Sequence, residues 1–162
     1  MSTGNVNYEL EASLTGIGLR KVSQIVEYGD FTDDGSDANG DLTLTKSVPA
    51  GSFIIGSKVT VKTGFIGDTS AVLAIGASAN DNEYSGNTTH NVFTSGTNNL
   101  VKAAFISSDA GLGAVGSDQI IYLTLTSDSD FSDVTAGRLL VEVFYFSTNV
   151  ELTDGGRNKS DL

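Results

Sequence analysis

Residues 48–76 read VPAGSFIIGSKVTVKTGFIGDTSAVLAIG, and this stretch decides the fold. Between Phe53 and Phe65 the odd-numbered positions are mostly apolar, whereas the even-numbered positions include two lysines, a threonine and two glycines. A β-strand points successive side chains to opposite faces, so the alternation predicts a long strand with one buried face. A turn at Gly67-Asp68 and a second alternating run then predict a hairpin. The core positions expected from these patterns are Val59, Val61, Leu73, Ile75, Leu123 and Val141, with Lys58, Thr60 and Lys62 more exposed.

Short alternating segments occur on both sides of this stretch. They are rich in β-branched and aromatic residues and are bounded by glycine or small polar residues, which is the pattern of strands separated by turns. Pro49, the only proline, and Gly51 predict a corner before the long strand, because proline lacks the N–H that a sheet ladder needs. The further segments predicted as strands are residues 8–14, 20–28, a short run from Leu42, 100–106, 119–126 and 138–147.

The segment 138–147 is apolar on both of its faces. One sandwich covers only the inner face of its strands, so such a strand needs a second cover. We expect its second face to lie against a loop of the same chain or in an interface between identical chains. The inner face has Leu139, Val141, Val143 and Tyr145, and the second face has Leu140, Phe144 and Phe146.

The composition fits one all-β domain. The 162 residues include 19 glycines and no cysteine, and the formal net charge is −11. Frequent glycines and small polar residues are typical of many turns between short strands. We predict a single-domain antiparallel β-sandwich of about eight strands, with the jelly roll as the expected topology. The expected organisation is a flexible arm at residues 1–7, the sandwich at 8–150 and a polar tail at 151–162.

Charge and composition also limit the function. No nucleic-acid partner is expected, because phosphate binding needs clustered Lys and Arg rather than an excess of carboxylates. No membrane span or signal peptide is visible, and the absence of cysteine removes disulfides and thiolate metal sites. The chain is expected to be soluble and to be assembled in a cytoplasm.

Three motifs could carry chemistry, but each lacks the context that its chemistry requires. His90, the only histidine, lies in a polar segment and is expected to be a solvated loop residue, so neither a Ser-His-Asp triad nor a zinc site is predicted. The aspartates of residues 30–41 and 128–133 are expected in turns, with a calcium loop as the less favoured alternative. Residues 111–116 match the dinucleotide-binding fingerprint, but no helix pattern follows them. We therefore predict no catalytic residue, no cofactor and no metal ligand.

Several short segments of this chain, taken together, resemble those of a known family. They are the corner at residues 48–51 with the strand after it, and residues 63–67, 74–76, 135–137 and 139–145. This set resembles small virion proteins of tailed bacteriophages that are often encoded beside the major capsid protein. The resemblance covers residues 20–147, and the family usually has a leucine where this chain has Val48. It implies a capsid decoration (cement) or head-fibre protein, typically a jelly-roll trimer.

These observations together predict a structural virion protein rather than an enzyme. We expect it to bind the major capsid protein lattice from outside as a homotrimer, and to be located on the capsid surface after assembly in the bacterial cytoplasm. One alternative is a fibre or receptor-binding jelly roll that recognises surface glycans. A hydrolase or a calcium-dependent lectin is another. The number of copies in each particle separates the first two, because cement is far more abundant than a tail component.

Overall fold

A computed structural model describes residues 19–33, 35, 38–102 and 115–147. Four features expected from the sequence lie outside the described residues: the arm at residues 1–7, the strand predicted at 8–14, most of the motif at 111–116 and the tail at 151–162. Regular structure in the described part consists of strands and short 3-10 turns. None of the helical turns found there is long and apolar enough to cross a membrane.

The strands follow the alternating segments of the sequence closely. The segments predicted at 20–28, 119–126 and 138–147 correspond to the first strand and the last two, and the long strand begins just after the Pro49 corner. The 3-10 turns are Tyr28–Asp30, Glu83–Ser85 and Phe131–Asp133. The strands are β1 (Leu19–Glu27), β2 (Thr32–Asp33), β3 (Asn39–Thr43), β4 (Ser52–Ile66), β5 (Ala71–Gly76), β6 (His90–Asn91), β7 (Asn98–Lys102), β8 (Tyr122–Ser127) and β9 (Ala136–Ser147).

The strands form two antiparallel sheets. Sheet A has the order β1-β9-β4-β7, and sheet B has the order β2-β3-β8-β5-β6. Apart from β2, which pairs with β3 at one edge of sheet B, the remaining eight strands are divided four to each sheet. Along the chain they fall in sheets A, B, A, B, B, A, B and A, and the first strand lies beside the last. This is the winding of a jelly roll, and the predicted fold class is confirmed.

The core lies between the two sheets and is built from the inward side chains of both. All six core positions predicted from the alternation are buried, and Lys58, Thr60 and Lys62 are more exposed, as expected. Phe31, Phe65 and Phe131 fill one end of the core, where the Phe31 and Phe65 rings meet edge to face with their centroids 6.0 Å apart. Such ring pairs add a small favourable term to the burial of apolar area.

The structure of residues 48–76 differs from the sequence prediction in two ways: the register of β4 shifts, and β4 and β5 do not form a hairpin. Its pairing with β9 shifts register between Ile54 and Gly56 and again after Val61. The first shift inserts one extra residue, so Phe53 and Ile55 lie on the outer side although they share odd numbers with buried Val59. The predicted hairpin is also wrong, because β4 belongs to sheet A and β5 to sheet B. The turn at Gly67-Asp68 carries the chain from one sheet to the other.

The corner before β4 is confirmed. Val48 pairs with Gln119 in an isolated bridge, and β4 begins at Ser52. Between them Gly51 has a φ of 75°, a value that residues with a Cβ seldom adopt. The corner therefore lets the chain leave the β8 side of the sandwich and enter sheet A.

Candidate interaction surface

The side of sheet A that faces away from the core is defined by the strand register. Directly opposed residues of antiparallel strands point to the same side of the sheet. Ser23 of β1, Glu142 of β9, Lys58 of β4 and Leu100 of β7 are opposed in one row across the whole sheet. Rows on either side follow the same rule. We call this side the outer face; its main residues are Leu19, Lys21, Ile25, Phe53, Lys58, Leu100, Leu140, Glu142, Phe144 and Phe146.

The outer face exposes large apolar side chains. Leu100 is 68% exposed, Leu19 59% and Ile25 54%, and two opposed aromatic residues, Phe53 and Phe146, are 36% and 38% exposed. Scattered apolar residues are normal on a protein surface, but these lie on the same side of one sheet. The face is therefore a candidate contact surface.

Strand β9 shows the two-sided apolar character that the sequence predicts. Its inner residues, from Leu139 to Tyr145, are buried in the core, whereas Leu140 and Phe144 are only half-buried and Phe146 is exposed. In the part of the chain that the structure describes, the outer side of β9 is thus left partly open to solvent. Of the two covers expected for it, a loop of the same chain is not seen among these residues.

A buried carboxylate lies at the centre of the outer face. Glu142 is only 7% exposed, and its carboxylate pairs with the Lys21 ammonium group on one side. On the other side Lys58 Nζ lies 3.9 Å from Glu142 Oε2. The lysine side chains are 51% and 34% exposed, so they cover the carboxylate and also reach solvent. This Lys21–Glu142–Lys58 triad puts an excess positive charge in the middle of an otherwise apolar face.

A depression lies at the β1 end of the outer face. Its volume is about 330 Å³, and it is bounded by Ile25, Lys62, Arg138 and Leu140. Arg138 Nε also lies 3.5 Å from Glu27 Oε1 across the β1–β9 pair. The depression is shallow, and its lining combines apolar side chains with cations. It fits a protruding side chain of a partner better than an enclosed small molecule.

The corresponding side of sheet B has a different character. Thr124 Oγ1 donates a hydrogen bond of 2.6 Å to Asp41 Oδ1, and Thr126 Oγ1 donates one of 2.8 Å to Asn39 Oδ1. The N–H of Asn80 in turn donates to Thr124 Oγ1. These polar groups satisfy one another within the chain. Sheet B therefore lacks the uncovered apolar side chains that mark the outer face of sheet A.

The prediction that His90 is a solvated loop residue is wrong. His90 lies in β6 opposite Leu73 and is 2% exposed. Ser57 Oγ lies 3.4 Å from His90 Nε2 and donates a 2.7 Å hydrogen bond to the carbonyl oxygen of Tyr84. Burial lowers the pKa of His90 to about 4, because the protonated ring would lose its hydration. The neutral imidazole is thus a core side chain with a hydroxyl neighbour.

The Ser57–His90 contact does not have the geometry of a catalytic pair. Both side chains are almost fully buried, and the Ser57 hydroxyl proton is directed to a main-chain carbonyl. A nucleophile must reach its substrate, and its base needs a third group to orient it. The arrangement connects β4, β6 and the turn at Tyr84, which is a structural role.

The aspartates near the turns accept hydrogen bonds from nearby main-chain and hydroxyl groups. Asp68 Oδ2 accepts from the N–H of Ser129 at 2.7 Å, and Asp130 Oδ1 accepts from the N–H of Ser132 at 2.8 Å. These bonds lower the pKa of both carboxyls. Among the described residues no group of three or more His, Cys, Asp or Glu side chains is placed to hold a metal ion. Asp130 has the turn geometry expected from the sequence, whereas Asp33 lies in β2 and Asp41 in β3, so the prediction of a turn is wrong for those two.

The fold defines the chain as a jelly-roll β-sandwich, and within its described residues the outer face of sheet A is partly open to solvent. A chain of the cyanophage Pam1 capsid asymmetric unit has a similar fold, with a TM-score of 0.51. The two share 14% sequence identity, and the match covers 82% of this chain and 86% of that chain. No protein-family model matches the sequence, and no curated protein sequence matches it.

Sequence reasoning found only part of this surface. It predicted the second apolar side of β9, but it missed the Lys21–Glu142–Lys58 triad. Glu142 lies 121 positions from Lys21 in the chain, and only the β1–β9 register brings them together. The available signal was a single carboxylate at an outward position between the apolar residues of 138–147.

Proposed function

We propose that the chain is a structural virion protein of a tailed bacteriophage that decorates and stabilises the outside of the capsid as a homotrimer. The observation that carries the proposal is the fold. A similar fold occurs, over most of both chains, in a chain of a cyanophage capsid asymmetric unit. The resemblance of residues 20–147 to small tailed-phage virion proteins points to the same function.

The surface of the domain supports an assembly role. A partly open apolar face is costly for a protein that works alone, and contact with another chain removes that apolar area from water. The major capsid protein lattice and further copies of this chain are the partners proposed. The virion surface is the proposed location.

We also propose that the protein is not an enzyme. The Ser57–His90 contact is buried in the core, burial keeps the His90 ring neutral, and no carboxylate of the described residues is hydrogen-bonded to it. The carboxylates of the turns accept hydrogen bonds from their own main chain. The role that these groups support is to hold the sandwich together.

The test uses the phage that encodes the chain. Heads made without this protein are mixed with purified protein, and bound protein is counted by quantitative mass spectrometry. Decoration predicts saturation at a fixed ratio to the major capsid protein, and greater resistance of the heads to heat. Failure to bind and to stabilise the heads contradicts the proposal. A handful of copies located at the tail favours the fibre or receptor-binding alternative.

A further inference from the structure

The charges of the chain are strongly segregated. The four strands of sheet A contain six of the nine Lys and Arg residues and only two of the twenty Asp and Glu residues. The rest of the chain has eighteen acidic residues against three basic ones. Among the described residues outside these strands, ten are acidic and one is basic, so a basic sheet and an acidic remainder are present in one described domain. Opposite surfaces of this kind attract when two molecules approach each other.

The cations of the outer face have hydrogen-bonding capacity left for a partner. An ammonium group has three N–H donors, and Lys21 and Lys58 share one carboxylate between them. Lys62 and Arg138 bound the nearby depression. The exposed apolar side chains around these groups exclude water from a docked surface, which strengthens the charge contacts. The face therefore suits a partner surface that is acidic and partly apolar.

We propose that the outer face of sheet A is the docking surface for a second copy of this chain, which contributes its acidic surface in a head-to-tail contact. The charge segregation argues for this occupant, because the chain itself carries the complementary surface. A symmetric contact of two outer faces would oppose two basic sheets. A head-to-tail contact between different surfaces closes into a ring when the rotation permits, and a ring of three is the homotrimer. The inference rests on the proposed function for the number of copies.

The size of the face is adequate for such a contact. Nine residues of β1 are paired along the sheet, which corresponds to roughly 30 Å at about 3.3 Å per residue. Four strands at about 4.8 Å spacing add a width of roughly 15 to 20 Å. With the relief of its side chains, the face approaches the roughly 800 Å² that each partner buries in a standard interface.

The test substitutes Ile25, which is 54% exposed on the outer face beside Lys62 and Arg138. Ile25→Glu places a carboxylate against the incoming acidic surface, while the neighbouring cations let the monomer keep its fold. Ile120→Glu is the matched control, because Ile120 is 48% exposed and lies outside sheet A. Self-association is measured by analytical ultracentrifugation over a range of concentrations. We expect Ile25→Glu to raise the dissociation constant roughly 30-fold or more, and the control to change it little.

A mixing experiment tests the head-to-tail contact from the side of the acidic surface. The Ile25→Glu chain still has an intact acidic surface, so it should bind the outer face of wild-type chains. Native mass spectrometry of the mixture should then show complexes that contain both chains. Self-association that is unchanged in Ile25→Glu, or a mixture without mixed complexes, overturns the inference. Leu100→Glu, on the other edge of the same face, is expected to repeat the loss, and circular dichroism checks that each variant is folded.

The outcomes for this inference and for the proposed function are distinguishable. A wild-type chain that stays monomeric but still decorates heads overturns the docking inference and the homotrimer, and leaves the decorating role standing. A chain that associates through the outer face but never binds heads contradicts the proposed function and leaves the docking inference standing. If Ile25→Glu stays oligomeric and loses only head binding, the outer face contacts the capsid, and the inference of a second copy is wrong.

Discussion

The buried histidine predicts a specific pH dependence of stability. In the unfolded chain His90 has its ordinary pKa of 6.5, whereas burial lowers the pKa to about 4 in the folded protein. Between these values the unfolded chain binds a proton that the folded protein does not bind, so the free energy of unfolding decreases as the pH falls. The stabilisation is present above pH 6.5. The full loss at low pH is roughly 3 kcal/mol.

The measurement compares wild type with His90→Gln by urea denaturation followed by circular dichroism. Because His90 is the only histidine, the substitution removes all titration of this type. Between pH 7 and pH 5 we expect wild type to lose about 2 kcal/mol more than the variant. The variant itself is expected to be less stable at pH 7, because an amide does not fill the space of the buried ring.

The pH range is chosen to avoid the aspartates. The lowered pKa values of Asp68 and Asp130 mean that their stabilisation is present above the unfolded pKa of 3.8 and is lost only in more acidic solution. Both proteins share these carboxyls, so the difference between the two pH profiles isolates His90. Parallel losses of stability in wild type and variant between pH 7 and pH 5 would refute the assignment of a buried, neutral imidazole.

Three further perturbations test other features of the domain. Glu142→Gln leaves two lysines without their shared carboxylate and should lower the free energy of unfolding in urea by about 1–2 kcal/mol. Glu27→Gln, in an exposed pair, should lower it by less than about 0.5 kcal/mol. Equal costs would contradict the central role of the triad. Gly40→Ala would place its Cβ 2.4 Å from the buried Phe131 ring and should lower the free energy of unfolding by about 1–3 kcal/mol. Gly29→Ala is the control, because a Cβ there meets open space. A tolerated Gly40→Ala would show that the ring can move aside. Treatment with EDTA should leave the melting temperature unchanged, and a large decrease that calcium restores would revive a metal site in the acidic turns.

The sequence predicts the strands and the core well because both depend on local alternation. The inward residues of β4, β8 and β9 could be identified from their period of two, and the predicted core positions are all buried. Alternation does not identify the neighbour of a strand. The hairpin predicted for residues 48–76 is wrong for this reason. Both of its strands direct apolar side chains to the core, but β4 lies in sheet A and β5 in sheet B.

Long-range placement explains the remaining differences. His90 lies among polar residues in the chain, yet β4 and the turn at Tyr84 surround it in the fold. The outward position of Phe53 depends on a register shift that only the pairing with β9 reveals. The second apolar side of residues 138–147 could be predicted, because it depends on the alternation within one strand. The charged triad at the centre of the outer face could not be predicted, because its residues come from three strands.

The position of β9 between β1 and β4 has a consequence for synthesis of the chain. Residues 136–147 are made after all the other described strands, yet both of these partners depend on them for hydrogen bonds. Sheet A cannot close before β9 has been made, and its nonlocal pairing makes folding slow. A product that ends before β9 keeps two strands with unpaired edges, and such edges promote aggregation. Formation of sheet A thus requires a chain that extends through β9, and a shorter product cannot form the folded subunit.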